Sequence, residues 1–147
     1  MRIITFGTFD MFHIGHLNIL QRAAAMGSSL VVGVSSDALN YAKKSRYPIC
    51  NERDRMRIIS ALCCVSEVFL EESLELKADY IRQFNTDLLV MGDDWAGRFD
   101  HLKPLCKVHY LPRTPAISTT QLIEVVKNIP SVLTENHHQL ATAPRVY

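Results

Sequence analysis

The sequence predicts an α/β fold, a doubly wound parallel sheet of about five strands in a single domain. Three observations carry that expectation. Apolar runs alternate with segments of helical periodicity over residues 2–128. The runs Leu30-Val31-Val32-Gly33-Val34 and Leu88-Leu89-Val90-Met91 are continuous rather than alternating, as strands buried on both faces require. Finally, 147 residues, 48% of them hydrophobic, suffice for one substantial core. Successive crossovers are expected to be right-handed.

Residues 2–6 read as the first strand. Residues 13–26 read as the first helix, with Leu17, Ile19, Leu20, Ala23 and Ala24 apolar and Gly27 as its stop. Residues 30–34 form the second strand, which brings Ser35-Ser36-Asp37 to its carboxyl end, where ligands gather in open α/β sheets. Residues 40–50 are polar, carry Lys43, Lys44, Arg46 and Pro48, and read as a loop. Asn51 suits a helix N-cap, with Asp54 three residues on. The helix it starts carries Met56, Ile58, Ile59 and Leu62 and ends near Cys64. Residues 65–70 are the third strand, 73–84 the third helix, and 87–91 the fourth strand. Gly92-Asp93-Asp94-Trp95 follows at that strand's carboxyl end. Residues 99–105 read as a short helix limited by Pro104, and 107–111 as the fifth strand. Ser118 or Thr119 caps a last helix over residues 121–128. Pro130 closes the pattern, so 1–129 is the expected domain and 130–147 a tail. His137 and His138 in that tail read as an exposed pair rather than a metal site.

A formal net charge of +1 supplies no field that would draw the chain to nucleic acid or an acidic membrane. No apolar run is long enough to span a bilayer, and the N-terminus lacks a signal peptide's pattern, so a cytoplasmic protein is expected. Cys50, Cys63, Cys64 and Cys106 form no C-x-x-C pair, and adjacent cysteines are not zinc spacing. They read as reduced thiols.

The chemistry concentrates where the first strand meets the first helix, in Thr5-Phe6-Gly7-Thr8-Phe9-Asp10-Met11-Phe12-His13-Ile14-Gly15-His16. Gly7 allows a turn that a side chain would resist. His13 and His16, three apart on a first helical turn, share a face, and Gly15 leaves room for a ligand to approach the backbone between them. The helix start adds free N–H groups and partial positive charge, so the whole suits a polyphosphate. A second element restates that logic. Arg113 is a permanently charged fork, Thr114, Ser118 and Thr119 carry hydroxyls, and another helix begins after Ile117. Either element alone reads equally well as an ordinary capped helix. The two together point to a nucleotide.

Gly7-Thr8-Phe9-Asp10, His13-x-Gly15-His16 and Arg113-Thr114-x-x-Ile117-Ser118-Thr119-Thr120 resemble the paired motifs of the cytidylyltransferases, within the H-x-G-H nucleotidyltransferases. Met91-Gly92-Asp93-Asp94-Trp95-x-Gly97-x-Phe99-Asp100 and Tyr110-Leu111-Pro112 resemble the bacterial glycerol-3-phosphate branch of that family. The resemblance covers residues 2–127. It implies a Rossmann-like homodimer using CTP, a small phosphorylated acceptor and a divalent cation, normally Mg2+. The implied reaction joins CTP and sn-glycerol 3-phosphate into CDP-glycerol and pyrophosphate, a supply for teichoic acids or capsules. By the same resemblance His13, His16 and Arg113 are catalytic. Thr8 and Phe9 through their backbone, with Gly15, Asp94, Thr114, Ile117, Ser118 and Thr119, line the nucleotide site near Trp95. Lys43 and Lys77 serve the acceptor. Arg55 joins them or forms a structural ion pair, and Asp10 assists the metal or braces the turn.

Four departures bear on the acceptor. Cys63 stands where these enzymes usually carry arginine, and Leu74 where tryptophan occurs. Pro115-Ala116 replaces a glycine-containing pair, and the basic residues of 43–46 are redistributed. Ethanolamine phosphate, choline phosphate, a polyol phosphate, a phosphonate or FMN are therefore rival acceptors. A nucleotide-binding regulator that lost catalysis is a rival of another class, although both histidines and Arg113 are retained. A class I aminoacyl-tRNA synthetase is excluded by length and by the lack of a K-M-S-K-S-like segment.

Overall fold

The structure, a computed structural model, describes residues 1–129. The expected tail, with His137 and His138, lies outside the described residues. The chain divides into two compact units, Met1–Ile117 and Ser118–Tyr147.

The first unit holds one five-stranded, wholly parallel sheet: β1 (Arg2–Gly7), β2 (Ser29–Ser35), β3 (Glu67–Glu71), β4 (Leu88–Gly92) and β5 (Lys107–Leu111). Its order is β3-β2-β1-β4-β5, the doubly wound, Rossmann-like arrangement. Four helices connect the strands: α1 (Ile14–Ala24), α2 (Asp37–Lys44), α3 (Glu52–Ser60) and α4 (Lys77–Gln83). Successive strand residues face opposite sides of the sheet. Ile3, Leu30, Val32, Leu88 and Val90 therefore pack with Leu20, Ala23 and Ile59 on one face. Ile4, Val31, Leu89 and Met91 pack with Tyr80, Ile81 and Phe84 on the other. Burying one such aliphatic side chain contributes about 1.5–3 kcal/mol, which is why the continuous apolar runs become the central strands. The register sets Ser35 beside Glu71 and Gly92 beside Leu111 at the carboxyl edge.

Several local expectations are corrected. Residues 40–50 are not all loop, because α2 runs through Lys44 and stops where Ser45 turns left-handed at φ 54°. Ser36 caps α2, accepting from the Leu39 N–H at 3.0 Å. Its polarity misleads because the inward residue is Asn40, which is buried yet fully hydrogen-bonded. The helix after β3 starts at Lys77 rather than residue 73. The segment between β4 and β5 is two 3-10 turns, Asp93–Trp95 and Asp100–Leu102, the second held at its start by Tyr110. The Tyr110 hydroxyl accepts from the Phe99 N–H at 3.1 Å and donates to Asp100 at 3.0 Å.

In the second unit α5 (Thr119–Lys127) is capped by Ser118, whose hydroxyl accepts from the Gln121 N–H at 3.2 Å. Among the described residues, no helix is long and apolar enough to cross a membrane.

Candidate active site

The turn between β1 and α1 is strained, and the strain is not at its glycine. Phe9 and Met11 hold left-handed backbone, at φ 54° and 46°. Each costs about 1–2 kcal/mol for a side-chain-bearing residue. Gly7 is required for space instead, since a Cβ there would lie 2.7 Å from the Phe9 ring, which folds back over it. Asp10 holds the turn shut. Its carboxylate accepts from the Met11 N–H at 3.0 Å, and from Ile49 and Cys50 N–H groups at 2.8 Å each. Of the two roles expected for Asp10, bracing is the one its oxygens perform.

His13 is the N-cap of α1 rather than a member of its first turn, and His16 is the third helical residue. The two cap reciprocally. His13 Nδ1 accepts from the Gly15 N–H at 3.0 Å, while His16 Nδ1 accepts from the His13 N–H at 3.4 Å. An imidazole nitrogen that accepts carries no proton, so each neutral ring bears its hydrogen on Nε2. The rings stack at 3.8 Å. Burial, then the neighbouring His13, lowers the His16 pKa to about 4. Burial and the Arg113 charge also lower that of His13. The pair is thus two neutral N–H donors at a helix start. Gly15 makes room for a ring, not for a ligand: a Cβ there would meet the His13 ring at 2.8 Å and stand 3.1 Å from Ile117.

Arg113 brings the permanent charge. It is exposed and faces Asp94 at 3.8 Å, too long for a hydrogen bond. Thr114 accepts from the Asn18 side chain at 3.3 Å, which ties the segment to α1. Ala116 adopts φ 58°, a conformation glycine takes without strain. Thus the start of α1, the turn after β4 and the segment after β5 bring together Phe9, His13, Gly15, His16, Asp94, Arg113, Thr114 and Ile117, while Thr8 is turned toward Asn40 and Arg55. Ser118 and Thr119 open the second unit, where Ser118 acts as a helix cap.

The three basic residues expected at the acceptor divide. Arg55 has a wholly buried guanidinium and forms the ion pair that is one of its two expected roles. It donates to the Thr8 carbonyl at 2.6 Å, the Cys50 carbonyl at 2.9 Å and the Asp37 carboxylate at 2.7 Å. Lys77 is buried too. It is 2% exposed, is paired with Glu71, and lies 3.7 Å from the Phe6 ring centroid, so it does not reach an open surface. Lys43, half-buried on the last turn of α2, makes no hydrogen bond or ion pair among the described residues. Sequence reasoning missed Asn40, which accepts from the Thr8 hydroxyl at 2.6 Å, and Glu71. The available signal for Glu71 was an acidic residue ending an apolar strand at the ligand edge.

The model of the family described as cytidylyltransferase-like matches residues 4–125. A glycerol-3-phosphate cytidylyltransferase of Bacillus spizizenii is 45% identical over 82% of this chain and 93% of its own. One from Bacillus subtilis is 42% identical over 87% and 98%. A solved structure, a lipopolysaccharide core biosynthesis protein of Thermoplasma volcanium, superposes with a TM-score of 0.63 at 24% identity. It covers 78% of this chain and 96% of that one, and supports the fold.

Three outcomes follow. Gly15→Ala displaces the His13 ring, and a misplaced catalytic group costs on the order of 10²-fold in kcat, read by steady-state kinetics alongside an unchanged melting profile. Arg55→Lys loses the planar fork and destabilises the fold by about 1–3 kcal/mol in urea titration. His16 titrates near 4 when folded, against an ordinary 6.5. Between those values the unfolded chain binds the extra proton, so stability falls as pH drops through that window. His16→Gln removes this contribution, so urea midpoints measured across the window should decline less steeply than in the wild type.

Proposed function

The chain belongs to the cytidylyltransferase-like family of nucleotidyltransferases, and from that premise we propose that it transfers CMP from CTP to sn-glycerol 3-phosphate, giving CDP-glycerol and pyrophosphate. The observation that carries the chemistry is the reciprocal cap of His13 and His16, which sets two Nε2–H donors beside the charge of Arg113. The acceptor's phosphate oxygen attacks the α-phosphorus of CTP in line. A new P–O bond forms as the bond to the pyrophosphate oxygen breaks, and its electron pair leaves with pyrophosphate. No covalent enzyme intermediate is needed. His13 and His16 donate to phosphate oxygens, Arg113 exchanges its loose contact with Asp94 for the triphosphate, and Lys43 meets the acceptor's charge.

Among the described residues no three His, Cys, Asp or Glu side chains cluster to hold a metal. Asp10 gives its oxygens to backbone N–H groups. A divalent cation, Mg2+ in this proposal, would enter with the triphosphate and would supply charge neutralisation there. There it offsets negative charge, and no residue is assigned to it as a ligand. A homodimer belongs to the same proposal, with the exposed Tyr41–Tyr47 stack and Ile49 as apolar surface for it. A cytoplasmic location, where CTP is available, belongs to the same proposal, as does a product that supplies glycerol-phosphate polymers such as teichoic acids or capsules.

The departure at Cys63 loses its force on structural grounds. Cys63 is exposed on the connection between α3 and β3, before the amino end of β3, where Ser66 donates to the Leu30 carbonyl. Ser35 and Glu71 lie at the opposite end of those strands.

A pyrophosphate-release screen crossing each nucleoside triphosphate with a panel of phosphorylated acceptors tests the reading. CTP with glycerol 3-phosphate should dominate. Comparable turnover with ATP would remove the base assignment, and clear turnover only with another acceptor would remove glycerol. Cys63→Arg should leave the KM for glycerol 3-phosphate within about twofold of wild type, as surface changes away from a site usually do.

A further inference from the structure

One largely polar face of α1 has no part in the chemistry described. Asn18, Gln21, Arg22 and Ala25 recur at helical spacing and line a groove of about 420 Å3 whose far wall is Arg113, Thr114 and Pro115. Two side chains bridge that groove. Arg22 Nη1 donates to the Pro112 carbonyl at 2.7 Å, and Asn18 Nδ2 donates to the Thr114 hydroxyl at 3.3 Å. The two bonds land on the residues immediately before and after Arg113.

The segment they hold has little else to fix it. Pro112 and Pro115 lack an N–H, and each biases the residue before it toward extended backbone. Among the described residues, no turn or loop backbone–backbone hydrogen bond engages residues 112–117. The backbone of Arg113 is therefore placed from α1, while its exposed guanidinium faces Asp94 at 3.8 Å. Arg22 itself stands about 13 Å along the helix axis from His13. It acts on the nucleotide through Arg113 rather than by contact.

We propose that Arg22, helped by Asn18, is a positioning residue for CTP: the two pin the backbone on both sides of Arg113 to the helix that starts with His13 and His16. The proposal rests on the reading above in which Arg113 meets the triphosphate. One rigid helix then sets the place of the permanent charge relative to the two Nε2–H donors.

Steady-state kinetics of the full chain test it, with CTP and the acceptor selected by the pyrophosphate-release screen varied separately. In Arg22→Ala, kcat/KM for CTP should fall about tenfold, the scale of one lost charge-assisted hydrogen bond. The KM for the acceptor should stay within about twofold of wild type. Asn18→Ala/Arg22→Ala frees both sides of Arg113 and should cost about 10²-fold, as a misplaced catalytic group does. Gln21→Ala alters the same groove without touching either bond and should match wild type. Arg22→Gln keeps the stem but withdraws the donor, and decides the matter where Arg22→Ala does not fold. Unchanged CTP kinetics in the Arg22 variants, parallel losses for CTP and acceptor, or an equal loss in Gln21→Ala overturn the proposal. Loss of the fold in both Arg22 variants by circular dichroism does so too. Arg113→Ala separates the two readings. If it leaves CTP kinetics unchanged, the role of Arg113 fails and the proposal with it. If it impairs them while the Arg22 variants do not, Arg22 alone fails. A wild type that turns over no CTP removes both.

Discussion

The arrangement depends on one buried guanidinium. Arg55 has five N–H donors and no water to receive them, so the fold must bring it acceptors or lose several kcal/mol. It does so from three separate segments: the Thr8 carbonyl in the β1–α1 turn, the Cys50 carbonyl before α3, and the Asp37 carboxylate opening α2. Asp37 and Glu52 reinforce this by capping each other's helices, each carboxylate accepting the other's backbone N–H, at 3.2 and 2.7 Å. With those helix starts fixed, Asp10 can reach the Ile49 and Cys50 N–H groups, and the left-handed residues Phe9 and Met11 are held in place. Only then does His13 fall at the cap of α1. The histidine pair is thus positioned by a buried core interaction.

That dependence explains what was legible in the sequence. Continuous apolar runs can be read without partners, because a strand buried on both faces has one composition wherever it lies. The central strands β2 and β4 were found for that reason, while the edge strands β3 and β5 showed as shorter mixed segments between helical patterns. The two histidines and Arg113 were legible because their spacing to a helix start is local. Arg55 was not, since a helix arginine looks alike whether it faces a ligand or three carbonyl and carboxylate oxygens from elsewhere in the chain. The same holds for α2, whose buried position is filled by a polar residue satisfied by the strand end before it and by Thr8. Periodicity registers apolar burial and misses polar burial. Glycines were also misread locally: Gly7 and Gly15 serve the rings of Phe9 and His13, contacts that depend on rotamers rather than on sequence spacing.

The nucleotide edge is built to donate without adding charge. Two charged imidazoles stacked at 3.8 Å beside Arg113 would repel one another, and burial penalises them further. Keeping both neutral preserves their Nε2–H donors in a fixed direction, since each Nδ1 is already occupied by a backbone N–H. Preorganised dipoles of this kind need no reorganisation as charge develops in the transition state. The full positive charge beside them is left to Arg113, whose side chain is exposed.

The carboxyl end of β3 meets a different demand, because a lysine and a glutamate are buried there together. Bare lysines there would attract any phosphate, and a buried one would lose its proton. Embedding Lys77 with Glu71 produces a neutral, rigid pair beneath two aromatic rings. Lys43 stands on the last turn of a helix whose start is clamped through Asp37 and Arg55, and Arg55 also holds the Thr8 carbonyl of the turn that seats the histidines.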